Sequence, residues 1–346
     1  MRIGLLGAGR IGSFHARALA TTPGVDELVI GDAAPARSAA LAARLGDVTA
    51  AGRAVRPAGS VDGVFAAGVD AVVIASATDS HAALITRAAR AGLPAFCEKP
   101  VAPDIMGTVR ALREVEAAGT VLQIGFQRRF DAGFRAAREA LRGGVLGRLH
   151  TIRAVTSDAA PPPPDFLPHS GGLIRDCMVH DFDAVHWLTG CEVAEVYAHG
   201  SAGGASFFRD AGDVDTAAAL LTLDNGTLVT ATATRYNGAG YDVRMELSGE
   251  LDQWVVGLGD RTPVTSAEPG GPAGPERPWS GFLDRFGAAY RAELAAFVQV
   301  ARGAMANPCP GGEGLRALLV AEACELSRHE RRPVRPEEVA ARAGIG

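Results

Sequence analysis

No run of apolar residues in this chain reaches the roughly 18 that a membrane-crossing helix needs, although 47% of its residues are hydrophobic. A membrane span is excluded on length alone. The chain opens Met1-Arg2-Ile3-Gly4-Leu5-Leu6-Gly7, straight into a strand and a glycine turn, and lacks a signal-peptide cleavage region. Positive charge is not in excess: 34 Lys and Arg stand against 39 Asp and Glu, for a net charge of −5. Without a basic footprint, nucleic acid is not an expected partner. Cysteine is scarce and odd in number, with five at Cys97, Cys177, Cys191, Cys309 and Cys324. Their scatter gives neither a disulfide framework nor metal-ligand spacing, so reduced thiols in a cytoplasmic protein are expected.

What is present is enough chain for two domains, since 346 residues exceed one ordinary core. The first is expected over residues 1–125 as an α/β Rossmann unit, a doubly wound parallel sheet. Residues 3–7 form a short apolar strand, followed by Gly7-Ala8-Gly9-Arg10-Ile11-Gly12 and a helical pattern. A second strand over residues 28–31 ends at Asp32, and an Ala-rich helix follows. In this βαβ unit Gly7 makes a tight turn, Gly9 lets a pyrophosphate approach the backbone, and Gly12 packs helix on strand, with the helix N-terminus facing the negative charge. Asp32 stands where a carboxylate accepts from adenosine ribose hydroxyls. The structural alternative is a tightly packed strand-helix turn with no ligand. Residues 46–59 are poorly patterned beyond one possible short strand.

The unbroken apolar strand at residues 69–75 reads as buried on both sheet faces. Ser76, Thr78 and His81 follow it, and Glu98-Lys99-Pro100 follows the strand at residues 94–97. Ligands of open α/β sheets bind beyond such strand ends, so these residues join Gly7, Gly9, Arg10, Ile11, Gly12 and Asp32 as the cofactor set. Helix-start decoration is the alternative for Thr78 and His81. NAD is expected over NADP: Asp32 repels a 2′-phosphate and is followed by Ala33 and Ala34, leaving Arg37, one turn on, as the nearest cation.

Beyond residue 126 the composition changes. Alternating, Thr-rich strands at about 148–157, 192–200, 214–223, 227–236 and 242–249, with Asn225-Gly226 as a hairpin turn, predict an α+β domain over 126–346 with an open, largely antiparallel sheet. Small residues alternate at Thr230, Ala231, Thr232, Ala233 and Thr234, which allows one face to lie against a symmetry mate. The Gly- and Pro-rich stretch 259–280 is a lid or an oligomer contact. One predicted helix, residues 171–190, carries Asp176, His180, Asp183 and Trp187 within a roughly 60° stripe at about 100° per residue. Buried carboxylates and imidazoles need partners, so these pair with each other, hold a metal, or face a polar ligand. The scarcity of His and Cys on this face disfavours the metal.

Taken together, Gly7-x-Gly9-x-x-Gly12, Glu98-Lys99-Pro100 and Asp176-x-x-x-His180-Asp181 resemble the Gfo/Idh/MocA family of oxidoreductases over nearly the whole chain. Within it the chain is most similar to the inositol dehydrogenases, through Gly125-Phe126-Gln127-Arg128-Arg129-Phe130-Asp131 and the segment from Phe282 to Leu294. The resemblance implies Lys99, Asp176 and His180 as the catalytic group and places Arg128, Asp158 and Tyr241 near a polyol. Read physically, Arg128 could equally be an ion-pair residue and Tyr241 a sheet residue. It further implies a homo-oligomer, a tetramer, alongside the NAD and the absence of a metal expected above. The expected activity is NAD-dependent oxidation of a ring hydroxyl of an inositol to a ketone. Its rivals are an aldose dehydrogenase and a catalytically silent NAD-binding sensor.

Overall fold

The computed structural model describes residues 1–46 and 53–345. Up to residue 130 the order is β1 (Arg2–Leu6), α1 (Arg10–Thr21), β2 (Glu27–Gly31), α2 (Pro35–Gly46), β3 (Ala54–Pro57), α3 (Val61–Ala66), β4 (Ala71–Ile74), α4 (Thr78–Arg90), β5 (Ala95–Glu98), α5 (Ile105–Ala118), β6 (Leu122–Gly125) and a 3-10 turn (Gln127–Phe130). There follow α6 (Ala132–Arg142), β7 (Leu149–Ser157), the short α7 (Leu167–Ser170), a π-helical turn (Ile174–Met178), α8 (Val179–Thr189), β8 (Val193–Ser201), α9 (Ser206–Asp210), β9 (Thr216–Leu223), β10 (Leu228–Thr234), β11 (Asp242–Gly249), β12 (Gln253–Val256), α10 (Phe282–Ala301), α11 (Gly311–Glu330) and α12 (Pro336–Arg342). No helix among the described residues is long and apolar enough to cross a membrane.

The first sheet is parallel, ordered β3-β2-β1-β4-β5-β6. Its central strands are buried at every position, as expected for strands covered by helices on both faces. The order reverses between β1 and β4, which marks the switch point where such sheets take ligands. The possible strand in residues 46–59 is β3; residues 47–52 of that stretch lie outside the described ones.

The chain divides into two compact units, but not by one cut near residue 125. Unit 1 comprises Met1–Phe130 and Ala288–Leu315; unit 2 comprises Asp131–Gly287 and Arg316–Gly346. The reason is packing. Leu294, Phe297 and Val298 of α10 share one buried cluster with Ile3, Leu5, Val73 and Phe96. Asn307 Nδ2 donates to Leu122 O at 2.8 Å and Ile124 N to Cys309 O at 2.9 Å, which satisfies the free edge of β6.

Unit 2 holds a sheet ordered β12-β11-β7-β10-β9-β8, antiparallel except for the β7 and β10 pair. The Asn225-Gly226 turn is present between β9 and β10: Gly226 has φ +84° and Thr227 N donates to Asn225 Oδ1 at 3.0 Å. Along β10, Val229, Ala231 and Ala233 are buried and Thr230 and Thr232 exposed, a strict alternation with one solvated face. The stretch 259–280 carries no regular element, yet it is fastened: Arg261 stacks 3.8 Å over Trp279 and ion-pairs with Asp284 at 2.7 Å.

Candidate active site

In unit 1 the first strand ends in a turn that only glycine fits. Gly7 has φ +110°, and a Cβ there would lie 2.5 Å from Ala75 O. A Cβ on Gly12 would lie 2.1 Å from Gly7 O, whereas one on Gly9 would meet nothing within 4 Å. The backbone is thus crowded on the protein side and open at Gly9, the N-cap of α1, which has no side-chain cap. Asp32 is pinned at the same rim: Oδ2 accepts from Ala8 N at 2.7 Å and Oδ1 from Ala34 N at 2.8 Å. Each oxygen keeps a further lone pair for a hydroxyl donor. An open helix N-terminus beside an oriented carboxylate fits a dinucleotide. Arg10 and Ile11 begin α1, and Arg37 is exposed on α2.

Beyond β4, Ser76 Oγ and Ser80 Oγ are 2.6 Å apart and Thr78 is the first residue of α4. His81, 1% exposed, has Nδ1 2.7 Å from Pro100 O and Nε2 3.2 Å from Ser76 O. Burial lowers its pKa, so the neutral ring donates from one nitrogen, and the shorter contact makes that Nδ1. His81 therefore ties the loop after β4 to the turn holding Lys99, whose peptide to Pro100 is cis. Beyond β6, Arg128 and Arg129 are both buried. Arg129 is committed to Glu313 at 2.9 Å and Pro308 O at 3.2 Å.

In unit 2 the strand ends line up by register. Ser157 of β7 pairs with Thr234 of β10 and with Asp242 of β11, so the next residues outward are Asp158, Arg235 and Tyr241. Arg235 was not among the residues expected from sequence. Its guanidinium, 4% exposed, donates through Nη1 to Asp158 Oδ2 and through Nη2 to Asp176 Oδ2, both at 2.8 Å. The Sγ of Cys177 lies 3.0 Å from Nη1. Burial alone would weaken the arginine's charge; the pull of Cys177, Asp176 and Asp158 overturns that and raises its pKa. One cation thus fixes two carboxylates, each still about a fifth exposed, with side-chain accessibilities of 24% and 20%. A signal did exist in the sequence. Arg235 continues the inward parity of Val229, Ala231 and Ala233, and an inward charge at the end of an apolar alternation needs a partner.

The helix carrying Asp176 and His180 is not uniformly α. The π-helical turn Ile174–Met178 closes i→i+5 bonds and holds one residue more than an α turn, so the 60° stripe projected from sequence does not apply between Asp176 and His180. The turn is anchored at its start. Leu173 N donates to both Asp213 oxygens at 3.1 and 3.2 Å, Arg175 grips Glu322 through Nε and Nη2, and Gly171 and Gly172 have φ +80° and +89°. Asp181, fully buried, accepts from Thr156 Oγ1 and holds α8 to β7. His180 is half-buried. Tyr241 is 6% exposed, with its N–H donating to Trp279 O at 2.7 Å.

The switch-point sheet, the open glycine turn and the pinned Asp32 define a dinucleotide-binding protein of Rossmann type. Residues 1–126 match the oxidoreductase family with an NAD-binding Rossmann fold, and residues 134–253 match the GFO/IDH/MocA C-terminal domain; the chain belongs to that family, with NAD as its cofactor. Among curated relatives, the chain is 39% identical to myo-inositol dehydrogenase Hyg17 of Streptomyces leeuwenhoekii, over 93% of this chain and 96% of the relative. A crystal structure of a myo-inositol dehydrogenase from Corynebacterium glutamicum superposes with a TM-score of 0.86 at 32% identity, covering 97% of this chain and 98% of that one. The scyllo-inositol dehydrogenase from Lactobacillus casei, solved with NAD(H) and scyllo-inositol, gives 0.83 at 27% identity, covering 97% and 99%.

Proposed function

We propose that this chain oxidises a secondary hydroxyl of myo-inositol or a related inositol to the ketone. The observation that carries the reading is the Asp158, Arg235 and Asp176 cluster: two oriented carboxylates at one sheet edge, both partly open to solvent, suit vicinal hydroxyls that donate hydrogen bonds. The inositol dehydrogenases to which the chain is similar support the substrate class. Acceptance of hydride from the carbinol carbon is the chemistry the nicotinamide supplies when bound. His180 takes the hydroxyl proton, Asp176 orients the imidazole or binds the neighbouring hydroxyl, and Lys99 stabilises the oxygen as negative charge develops. Arg128 and Tyr241 line the polyol with Asp158. On the cofactor side, Ser76, Thr78, Arg10 and Ile11 surround the dinucleotide held by the glycine turn and Asp32, while His81 and Glu98, both buried, hold the strand-end loops behind it.

Purified protein incubated with NAD and a panel of inositol isomers and aldoses, followed by NADH absorbance, tests this. Turnover highest on an inositol is expected; turnover highest on an aldose would replace the substrate, and no turnover on any polyol would leave an NAD-binding sensor. With Asp32 fixed by two backbone donors and Arg37 exposed, kcat/KM for NAD exceeds that for NADP; equality would sink that assignment.

Assembly as a homotetramer through the solvated face of the second sheet belongs to the same reading. That face carries Tyr197, Leu220 and Leu228, 42%, 47% and 46% exposed, beside Thr230 and Thr232. A monomer by light scattering at micromolar concentration would contradict it. Location in the cytoplasm is proposed from five cysteines that form no disulfide among the described residues, three of them buried.

A further inference from the structure

Behind the turn that carries Lys99, unit 1 buries three ionisable groups, none of which moves a proton in the proposed chemistry. His15 of α1 and Glu293 of α10 are fully buried, and Glu98 at the end of β5 is 9% exposed. His15 Nε2 lies 2.6 Å from Glu98 Oε1, and one polar atom from each of the three side chains lies within 4.8 Å of the others. Neither carboxyl oxygen of Glu293 has a hydrogen-bond partner among the described residues. The surroundings are aromatic: Phe96 meets His15 edge-on at 5.6 Å and Tyr290 lies 5.9 Å from it. Gln123 Nε2 donates to Glu293 O at 3.1 Å and fixes this turn of α10.

Two ionised carboxylates this close in an apolar box repel each other, and the remedy is one proton between them. Glu98 has an imidazole N–H and some solvent; Glu293 has neither, so the proton belongs on Glu293. Burial, reinforced by the charge of Glu98, pushes the Glu293 carboxyl well above the glutamate range. The titratable groups facing it are His15 from α1 and Glu98 from β5, with Tyr290 one turn earlier on α10.

We propose that Glu293 is a neutral carboxylic acid that leaves Glu98 as the single charged carboxylate of the box, and that His15, Glu98 and Glu293 are positioning residues for Lys99. His15 holds the Glu98 carboxylate, Glu98 fixes the strand end from which Lys99 extends, and the uncharged Glu293 spares that end a second buried charge. The effect on turnover rests on the role proposed for Lys99; the protonation state does not.

The test uses the intact enzyme with NAD and myo-inositol, and two readouts that need no turnover. Wild-type protein shows an infrared carboxylic-acid carbonyl band at neutral pH that Glu293→Gln lacks. A raised folded-state pKa contributes stability below the ordinary glutamate value, 4.5, that is lost as pH rises toward the folded value. The thermal midpoint of Glu293→Gln therefore gains on wild type steadily as pH increases above that value. In turnover, Glu293→Ala lowers kcat, Glu293→Gln restores it to within about threefold of wild type, and Glu98→Gln lowers kcat more than it changes the polyol KM. Glu293→Met, neutral and of similar volume, stands in if the glutamine amide is not tolerated. Absence of the infrared band, a pH-independent stability difference, failure of both neutral variants to fold, or a stoichiometric divalent ion released by Glu293→Gln would each overturn the proposal. If the two spectroscopic and thermal readouts hold while no polyol is oxidised, the substrate reading has failed and the buried acid stands.

Discussion

At the scale of single residues, the half-buried His180 and the strand-end Lys99 come from different parts of the chain and serve one proposed hydroxyl. His180→Ala is expected to lower kcat by about 100-fold or more while NAD affinity changes little, as for loss of a general base. Lys99→Ala acts mainly on kcat too, and the double variant loses far less than the product of the single losses. A His180→Ala enzyme of lower thermal stability but near wild-type turnover would leave the imidazole a structural role only. Arg235 makes a different prediction. Its fork meets Asp158 and Asp176 with separate nitrogens, a geometry a single ammonium cannot reproduce. Arg235→Lys should raise the polyol KM by about tenfold or more with NAD affinity unchanged; an unaltered KM would show that the carboxylate pair is not a substrate subsite.

At the scale of elements, the π-helical turn is where sequence patterning and structure part. Apolar residues at 173, 174, 178, 179, 182 and 185 are buried whether or not one turn is widened, so periodicity could announce the helix but not its irregular start. The glycine turn after β1, in contrast, was legible because its constraints are local: Gly7 and Gly12 are dictated by atoms a few residues away or on the adjoining strand. Strand β12, four residues long, and the allegiance of α10 to unit 1 were not read, since both depend on contacts with residues remote in sequence. Arg235 fell in the same class, because its partners Asp158 and Asp176 are 77 and 59 residues away. The widened turn also yields a test. Gly172 has φ +89°, and an added Cβ would lie 2.9 Å from Asp213 Oδ1, the group that caps Leu173 N. Gly172→Ala should cost roughly 1–3 kcal/mol of stability and lower kcat by displacing Asp176 and His180. Unchanged thermal midpoint and kcat would mean that the turn does not set the position of those groups.

At the scale of the whole molecule, both sheets followed from patterns in the chain, yet the division of the chain between units did not, because unit 1 is discontinuous. That discontinuity concerns time as well as space. A ribosome adding about 5–20 residues per second finishes Met1–Phe130 early, then makes the whole of Asp131–Gly287 before Leu294, Phe297 and Val298 emerge to cover Phe96 and its neighbours. The interval is roughly 10–30 s at that pace. Each of the three missing side chains contributes about 1.5–3 kcal/mol once buried, so the nascent NAD-binding unit waits unfinished, with an apolar patch and an unpaired β6 edge open to chaperones or to other nascent copies. A fragment of residues 1–130 should therefore bind NAD weakly and expose hydrophobic surface to a reporter dye, while the same fragment joined by a flexible linker to residues 288–315 should recover a cooperative thermal transition. If the shorter fragment melts as cooperatively and binds NAD as tightly as the joined one, the late segment is an accessory, and the birth order of this enzyme carries no hazard.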